Sequence, residues 1–252
     1  MVKTMDLLKI DQAAILVRNA RHAVVLTGAG ISTPSGVPDF RSDAGIWRNQ
    51  NPFEIAALAA FRRDPLGFFR WFQPLLKQLL DAQPNPAHTA LAMLERAGHL
   101  RAVVTQNIDG LHQSAGSREV YELHGHLRSA TCLGCETQIP SHQVFHAAGR
   151  GEVLRCQCGE AFKPDVVLFD ELLPRGLFWL AQRAIDQADL VLVAGTSLEV
   201  APVCEMPLRA LEHGAKLIII NLGETYLDQR AEIVLHADLA HALPAIAERV
   251  VR

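Results

Sequence analysis

Four short apolar segments, each followed at once by glycine or small polar residues, constrain the fold most strongly. They are AVVLT (23–27), RAVVT (101–105), DLVLVA (189–194) and KLIII (216–220), which run into GAG, QNIDG, GTS and NLGET. Segments with a helical period lie between them, at about 64–81, 86–97, 174–187, 203–213 and 238–251. Short apolar strands that alternate with helices are typical of a parallel sheet covered on both faces. We therefore predict a doubly wound, mostly parallel α/β fold.

The polar residues at these strand ends predict a ligand site. Ligands of open α/β sheets bind at the carboxyl edge of the strands, near the point where the strand order reverses. The stretch TQNIDGLH places Gln106, Asn107, Asp109 and His112 directly after an apolar run. One such stretch could be an ordinary polar turn, but four of them are expected to converge on one crevice.

The turn after the first strand reads TGAGISTPSGVPDFRS. Gly28 and Gly30 would allow the backbone to approach a phosphate, and the next helix would add its dipole. Thr33 stands where a standard dinucleotide fingerprint has its third glycine, so a tight turn without a ligand is an open alternative. Phe40 and Arg41 favour a ligand, because an aromatic ring and a guanidinium in a loop suit a base and a phosphate.

Four of the five cysteines form two close pairs. Cys132 and Cys135 have CxxC spacing, whereas Cys156 and Cys158 have the shorter CxC spacing. Four thiolates suit a closed, tetrahedral, structural zinc site. A redox dithiol pair and unbound thiols are the alternatives, and Cys204 is interpreted as a small core residue.

Residues 126–163 carry these cysteines, show little helical period and interrupt the alternation of strands and helices. They are interpreted as a small inserted module. His124 lies just before this module, where a crevice is expected. Histidine is the side chain best suited to act as a base near neutral pH, although position alone favours a histidine without a chemical role.

Charge and hydropathy exclude several classes of partner. The chain has 252 residues, 49% of them apolar, and a net charge of -3, without a basic run that would attract nucleic acid or membrane. No apolar stretch reaches the ~18 residues of a membrane span. The N-terminal segment carries Asp6 and Asp11 within an amphipathic pattern, unlike a signal peptide. We therefore expect a cytoplasmic protein without membrane or nucleic-acid partners.

The motifs GAGISTPSGVPDFRS, TQNIDGLH, ELHG, the two cysteine pairs, KPDVVLFDE, GTSLEVAP and INLGET occur in this order. The series resembles that of the sirtuins, the Sir2-like NAD-dependent protein lysine deacylases of the bacterial type, and covers about residues 10–250. The resemblance implies one catalytic domain over residues 1–252. Its Rossmann-like, NAD-binding part would span about 6–40, 86–125 and 164–252, and a small zinc-ribbon and helical module about 41–85 and 126–163.

The resemblance also implies roles for individual residues. His124 matches the catalytic base, and Asn107 would act with it. The turn and loop assigned to NAD comprise Gly28, Ala29, Gly30, Ile31, Ser32, Pro38, Asp39, Phe40, Arg41 and Trp47. The nicotinamide and ribose pocket would be formed by Gln106, Asn107, Ile108 and Asp109, and the adenosine contacts by Gly195, Thr196, Ser197, Asn221, Leu222, Gly223 and Leu239. Val166, Val167, Leu168 and Phe169 resemble the strand that pairs with an acylated peptide. The zinc ligands would be Cys132, Cys135, Cys156 and Cys158.

In the implied reaction the acyl oxygen of a modified lysine attacks the ribose, and His124 takes a proton from a ribose hydroxyl. Free lysine, nicotinamide and O-acyl-ADP-ribose result. We expect a deacetylase that acts as a monomer. An ADP-ribosyltransferase, a longer-chain deacylase, a catalytically silent NAD sensor and a nucleic-acid-binding zinc ribbon are the alternatives; the last is disfavoured because residues 126–163 are not markedly basic.

Three departures from the family pattern bear on specificity. Asp170 stands where most relatives have glycine, and the CxC knuckle is one residue short. The Tyr and Arg that mark relatives acting on succinyl and malonyl groups are absent, with Pro74 and Leu76 near those places. Four aromatic residues of the same segment, interpreted as core in preference to an apolar acyl tunnel, are Phe68, Phe69, Trp71 and Phe72.

Overall fold

The computed structural model describes residues 6–39 and 51–252 of the chain. Phe40, Arg41 and Trp47, which the sequence assigns to NAD, lie outside these described residues. No helix in the described ranges is long and apolar enough to cross a membrane.

A parallel sheet of six strands dominates the described structure, in the order β3-β2-β1-β7-β8-β9. Its strands are β1 (Ala23–Thr27), β2 (Ala102–Thr105), β3 (Val120–Glu122), β7 (Leu190–Ala194), β8 (Lys216–Ile220) and β9 (Ile233–Leu235). The interior strands β1, β2 and β7 are buried throughout, as expected of strands that are covered on both faces. The predicted doubly wound sheet is confirmed.

Two layers of helices cover this sheet. The first contains α1 (Leu7–Asn19), α5 (Pro86–Arg96) and α10 (Leu239–Val251), and the second contains α8 (Arg175–Gln187) and α9 (Met206–Glu212). Local sequence defines their starts. The Asp6 carboxylate accepts the Lys9 amide, and Asn85 caps α5 just before Pro86.

A second, antiparallel sheet with the order β5-β4-β6 belongs to the inserted module. It consists of β4 (Gly125–Cys132), β5 (Gln138–Pro140) and β6 (Phe162–Val166). Helices α2 (Pro52–Ile55), α3 (Leu58–Arg63), α4 (Pro65–Asp81) and α7 (Ser141–Gly149) accompany it. Apolar side chains of α3, α4 and α7 share one core with β4 and β6. The short α6 (Leu111–Ser114) follows the polar end of β2.

Two sequence expectations differ from this structure. Residues 126–163 show little helical period, yet α7 lies among them, because Val144 and Ala147 are buried in the module core and Phe145 stacks against Phe72 of α4. The helix expected over 203–213 is a 3₁₀ turn at Val203–Glu205 followed by α9. Tertiary packing holds α7 in place. Helix α9 starts late because Pro207, in its first turn, is favoured at the start of a helix.

The strand order reverses between β1 and β7, because β1 continues to β2 on one side while β7 continues to β8 on the other. The chain segments that leave these two strands touch. The Gly30 amide donates a hydrogen bond to the Gly195 carbonyl at 2.9 Å. Gly195 has φ +68°, and a Cβ added there would lie 2.4 Å from the Ile31 nitrogen. Glycine is therefore required at this crossing.

Candidate active site

A crevice of about 700 Å³ opens at the carboxyl edge of the parallel sheet and continues toward the inserted module. Its sheet side is lined by the ends of four strands: Gly28, Ala29 and Gly30 after β1, Gln106, Asn107 and Ile108 after β2, Gly195, Thr196 and Ser197 after β7, and Asn221, Leu222 and Gly223 after β8. Leu239 closes the same side. The module side carries Val166, Val167, Leu168 and Phe169, with His124 at the junction.

Asn107 is held from three directions. Its amide group donates to the Gly28 carbonyl and to the Ser32 hydroxyl, both at 3.1 Å, while its backbone amide donates to the Thr105 hydroxyl at 3.1 Å. The residue is 7% exposed, so little of this polar network faces water. These bonds lock the turn after β1 to the turn after β2 at the floor of the crevice.

Asp109 lies behind the floor of the crevice and binds groups that support it. Its carboxylate accepts the Ser32 hydroxyl at 2.7 Å and the Leu111 amide at 2.9 Å. Burial raises the pKa of this carboxyl, and the two hydrogen bonds oppose that shift. Asp109, Ile31, Ser32 and Pro38 are not among the residues that line the crevice. In the described structure Asp109 and Ser32 therefore support Asn107 from behind.

His124 has one ring nitrogen fixed by the backbone. Nδ1 lies 3.0 Å from the Gln106 carbonyl oxygen, which can only accept a hydrogen bond, so Nδ1 carries the proton. Nε2 is then the basic nitrogen. Burial lowers the pKa of the imidazole, while the bond to Gln106 acts in the opposite direction. The ring is therefore neutral near pH 7 and able to accept a proton.

Gln106, at the end of β2, links His124 to the end of β7, on the far side of β1. Its side-chain amide donates to the Thr196 hydroxyl at 3.0 Å, and that hydroxyl also accepts the Leu198 amide at 3.2 Å. His124, the turn after β2 and the turn after β7 thus form one connected network.

Two fully buried histidines lie behind the turn after β1. His112 Nε2 lies 2.9 Å from the Thr27 hydroxyl oxygen, and the backbone amide of Asn85 donates to His88 Nδ1 at 3.3 Å. Their rings meet edge to face, 4.9 Å apart. Burial lowers the pKa of His88 to about 4 and that of His112 to about 3, and His88 contributes to the shift in His112. Both rings are neutral in the folded protein.

The segment predicted to pair with a peptide already uses several of its amides. The Val167 amide donates to the His124 carbonyl, the Leu168 amide to the Glu171 carboxylate and the Phe169 amide to the Ala56 carbonyl. These groups shape the segment from within the chain. Peptide pairing through residues 166–169 stays a prediction, and it has to use other main-chain groups than these three.

An ion pair stabilises the same segment. Lys163 Nζ lies 3.0 Å from Glu171 Oε2 and also donates to the Val166 carbonyl at 2.7 Å. The lysine side chain is 9% exposed and the glutamate 18%. Asp170, which replaces the family's usual glycine, has φ +67°. The aspartate therefore keeps the left-handed backbone that glycine adopts without strain.

The four paired cysteines converge at the far end of β4. Their sulfur atoms all lie within 4.8 Å of one another, with Cys132 and Cys158 3.3 Å apart and Cys135 and Cys156 3.5 Å apart. Tetrahedral zinc with Zn–S bonds of ~2.3 Å requires sulfur atoms about 3.8 Å apart. The shortened CxC knuckle still delivers both of its sulfurs to this cluster, so the set fits a structural zinc ion.

A sequence profile of the Sir2 family matches residues 28–202. The chain belongs to the Sir2 family. The NAD-dependent protein deacetylase of Sulfolobus acidocaldarius is 42% identical over 95% of this chain and 94% of its own length. NAD-dependent protein deacylase 2 of Archaeoglobus fulgidus is 43% identical over 97% of each chain.

Solved structures of Sir2 proteins share the fold. A Sir2 complex with a p53 peptide and NAD⁺ superposes with a TM-score of 0.87 at 39% identity, covering 94% of this chain and 96% of that chain. Sir2Tm bound to a propionylated peptide gives 0.87 at 38% identity, covering 97% of this chain and all of the other.

The sequence missed part of this Sir2-family crevice. Ala56, Phe68, Trp71, Phe72 and Leu75 line its module side, and Glu199, Val200, Ala201, Ala237 and Asp238 line its sheet side. The second group directly follows β7 or precedes α10, so the strand-end rule could have included it. Phe68, Phe69 and Phe72 are core residues, each 3% exposed, as interpreted from the sequence. Phe68 and Phe72 nevertheless form part of the crevice wall as well.

NAD fits the donor set and shape of this crevice. The crossing of Gly30 and Gly195 leaves a floor without side chains, and hydroxyl and amide groups of Thr196, Ser197 and Asn107 surround it. No lysine or arginine is among its lining residues within 6–39 and 51–252. The amides of Gly28, Gly30, Ile31 and Ser32 in the turn after β1 already donate to carbonyl oxygens of the chain, so a pyrophosphate depends on other donors, for which Arg41 is the predicted candidate.

Replacing Cys156 by serine is expected to abolish zinc binding, because three thiolates and a hydroxyl are a poor match for the tetrathiolate site. Metal analysis should find about one zinc per chain in the parent and under ~0.1 in the variant, with the melting temperature lower by about 10 °C. Cys204→Ser is the matched control and should keep its zinc. Equal zinc content in both variants would exclude the four-cysteine site.

The neutral buried histidines are expected to destabilise the protein in acid. Their folded-state pKa values lie below the ~6.5 of an unfolded chain, so the unfolded state binds more protons as the pH falls below about 6.5. Each contributes a loss of up to about 1.4 kcal/mol per pH unit until its folded pKa is reached. Urea unfolding between pH 7 and 4.5 should show a shallower decline for His88→Asn than for the parent. The exposed-histidine control His142→Asn should follow the parent, and parallel lines for all three would refute the assignment.

Proposed function

We propose that this Sir2-family chain is an NAD-dependent protein lysine deacylase, with acetyl-lysine as its principal substrate. It transfers the acyl group from lysine to ADP-ribose and releases nicotinamide. The observation that carries the proposal is His124. Its Nδ1 is fixed by the Gln106 carbonyl, and the ring stands where the cofactor side and the peptide side of one crevice meet.

Bound NAD would supply an electrophilic ribose carbon and the hydroxyl whose proton must be removed. His124 accepts that proton at Nε2, since Nδ1 is occupied by its bond to Gln106. Asn107 orients polar groups of the ligand at the buried floor. Its own position is set by Gly28 and Ser32, so the required dipoles are in place before the ligand binds.

The remaining cofactor contacts are proposed for the predicted residues that line the crevice after β1, β2, β7 and β8, together with Asp39 and Leu239. Phe40, Arg41 and Trp47 keep their predicted roles as proposals. The four clustered cysteines are proposed as ligands of one structural zinc. We also propose the division into a cofactor-binding part and a zinc-binding, helical module, and a cytoplasmic monomer that does not act on nucleic acid.

The crevice geometry favours tolerance of longer, apolar acyl groups in addition to acetyl. Phe68, Trp71, Phe72 and Leu75 of α4 line the crevice together with Val166 and Leu168. These six side chains form an apolar pouch, and we propose that the acyl chain enters it. Asp39 and Asp170 line the same crevice and no lysine or arginine of the described residues does, so a second carboxylate on the acyl group would lack a cationic partner there.

The proposed activity is tested by mass spectrometry of an acetyl-lysine peptide incubated with NAD and the protein. We expect NAD-dependent loss of the acetyl group and formation of O-acetyl-ADP-ribose. His124→Ala should lower kcat by about 10²–10⁴-fold, because a positioned base is lost. His142→Ala, at an exposed position on α7, should retain activity. ADP-ribose attached to protein with the peptide left intact would instead identify a transferase.

Acyl preference is tested with a panel of acetyl, butyryl, hexanoyl and succinyl peptides. Butyryl and hexanoyl peptides should be processed, since each buried methylene contributes up to about 0.8 kcal/mol, and the succinyl peptide should be the poorest substrate. Leu75→Phe should narrow the pouch and reduce kcat/KM for hexanoyl at least about tenfold relative to acetyl. Leu80→Phe, on the exposed side of the same helix, is the matched control. An unchanged hexanoyl-to-acetyl ratio in Leu75→Phe would show that the chain does not enter this pouch.

A further inference from the structure

The loop of residues 221–225 forms the crevice wall beyond β8. Asn221, Leu222 and Gly223 line the crevice, and Leu222 is 73% exposed. A loop with such an exposed tip needs other contacts to keep its shape. The Asn221 side chain provides one such contact, because its amide group donates a hydrogen bond to the Gly223 carbonyl at 2.9 Å.

The start of this loop is fixed by a histidine that does not itself line the crevice. His236 follows β9, and its Nδ1 lies 3.0 Å from the Asn221 carbonyl oxygen. Because a carbonyl only accepts, Nδ1 is the donor. The Asn221 amide donates to the Leu235 carbonyl at 3.1 Å, so both backbone groups of Asn221 are tied to the end of β9.

The end of the loop is fixed by a carboxylate. Asp228 Oδ1 accepts the Thr225 amide at 3.1 Å and the Thr225 hydroxyl at 2.6 Å. The other oxygen of Asp228, Oδ2, lies 3.4 Å from His236 Nε2. The side chains of Asp228 and His236 are 18% and 29% exposed, respectively. His236, which holds Asn221, and Asp228, which holds Thr225, are therefore neighbours that fix the two ends of the loop.

We propose that His236 is a positioning residue for the adenosine half of the cofactor, acting through Asn221 and, with Asp228, holding the loop 221–225 in its binding conformation. The inference rests on the proposed function. A loop that is ordered before binding loses less conformational entropy when the ligand arrives, which increases affinity.

His236 and the loop lie at the β8–β9 end of the sheet, whereas His124 lies at the junction with the inserted module. The loop can therefore change cofactor affinity without altering the base. The signature of the positioning role is a higher KM for NAD and a higher Kd for ADP-ribose, with an unchanged kcat and an unchanged KM for the peptide.

Three substitutions of His236 distinguish the contact made by Nδ1 from the one made by Nε2. His236→Ala removes both contacts. His236→Asn places an amide NH₂ where Nδ1 lies and can still donate to the Asn221 carbonyl, whereas His236→Gln reaches toward Asp228 and not to that carbonyl. Calorimetric titration of the zinc-loaded protein with ADP-ribose should show about three- to tenfold weaker binding for His236→Ala, the loss expected for one hydrogen bond.

Rescue distinguishes positioning from general destabilisation. We expect His236→Asn to recover most of the affinity and His236→Gln to resemble His236→Ala. His213→Ala, which replaces an exposed histidine directly after α9, should bind as the parent does. Unchanged Kd values in all variants would overturn the inference. So would a parallel fall in kcat, peptide affinity and melting temperature, which marks a general structural role. A parent protein that binds ADP-ribose but does not deacylate contradicts the proposed function and leaves this binding test valid.

Discussion

The site depends on the close crossing of two chain segments at the centre of the parallel sheet. The Gly30 amide bonds to the Gly195 carbonyl, and a single added Cβ at Gly195 would collide with the backbone at Ile31. Because no side chain stands between these segments, the strand ends on both sides of the switch point open into one continuous crevice. A larger residue at the crossing would separate the turn after β1 from the turn after β7, and the network around Gln106 and Thr196 would lose its geometry.

Polar groups at this edge are oriented chiefly by other polar groups of the chain. Asn107 is held by Ser32, Ser32 by Asp109, and Asp109 by the Leu111 amide. Each hydrogen bond restricts the rotamers of the side chain that makes it. These groups have low exposure to water, so leaving one of them without a partner would cost free energy. The chain thus bears the cost of ordering its dipoles during folding, and the ligand meets a fixed electrostatic environment.

Much of the fold could be predicted from the sequence, because its information is local. Continuous apolar runs such as AVVLT and KLIII mark buried parallel strands, and both strands have the predicted bounds. The polar strand ends identify the crevice edge for the same reason. Helix α7 could not be predicted, since its nine residues have a weak period and are held by packing against α4. Nor could the dual role of Phe68 and Phe72, because periodicity identifies a buried face without telling a core from a cavity wall.

A single strand of the inserted module, β4, runs from His124 to the four-cysteine cluster. Strand β4 begins with Gly125, next to His124, and ends with Cys132. Its partner β6 pairs Val166 with Gly125 at one end and Phe162 with Cys132 at the other, across an irregular register. A Cβ at Gly125 would lie 2.0 Å from the Asp165 carbonyl oxygen, so the two strands pass very close to each other beside His124. A structural zinc held at Cys132 would fix the distal end of this strand pair, whereas the irregular register between Gly125 and Ala130 separates that end from His124. The closed metal site, which has no open coordination position for chemistry, would therefore stabilise the module without setting the position of residues 166–169 directly.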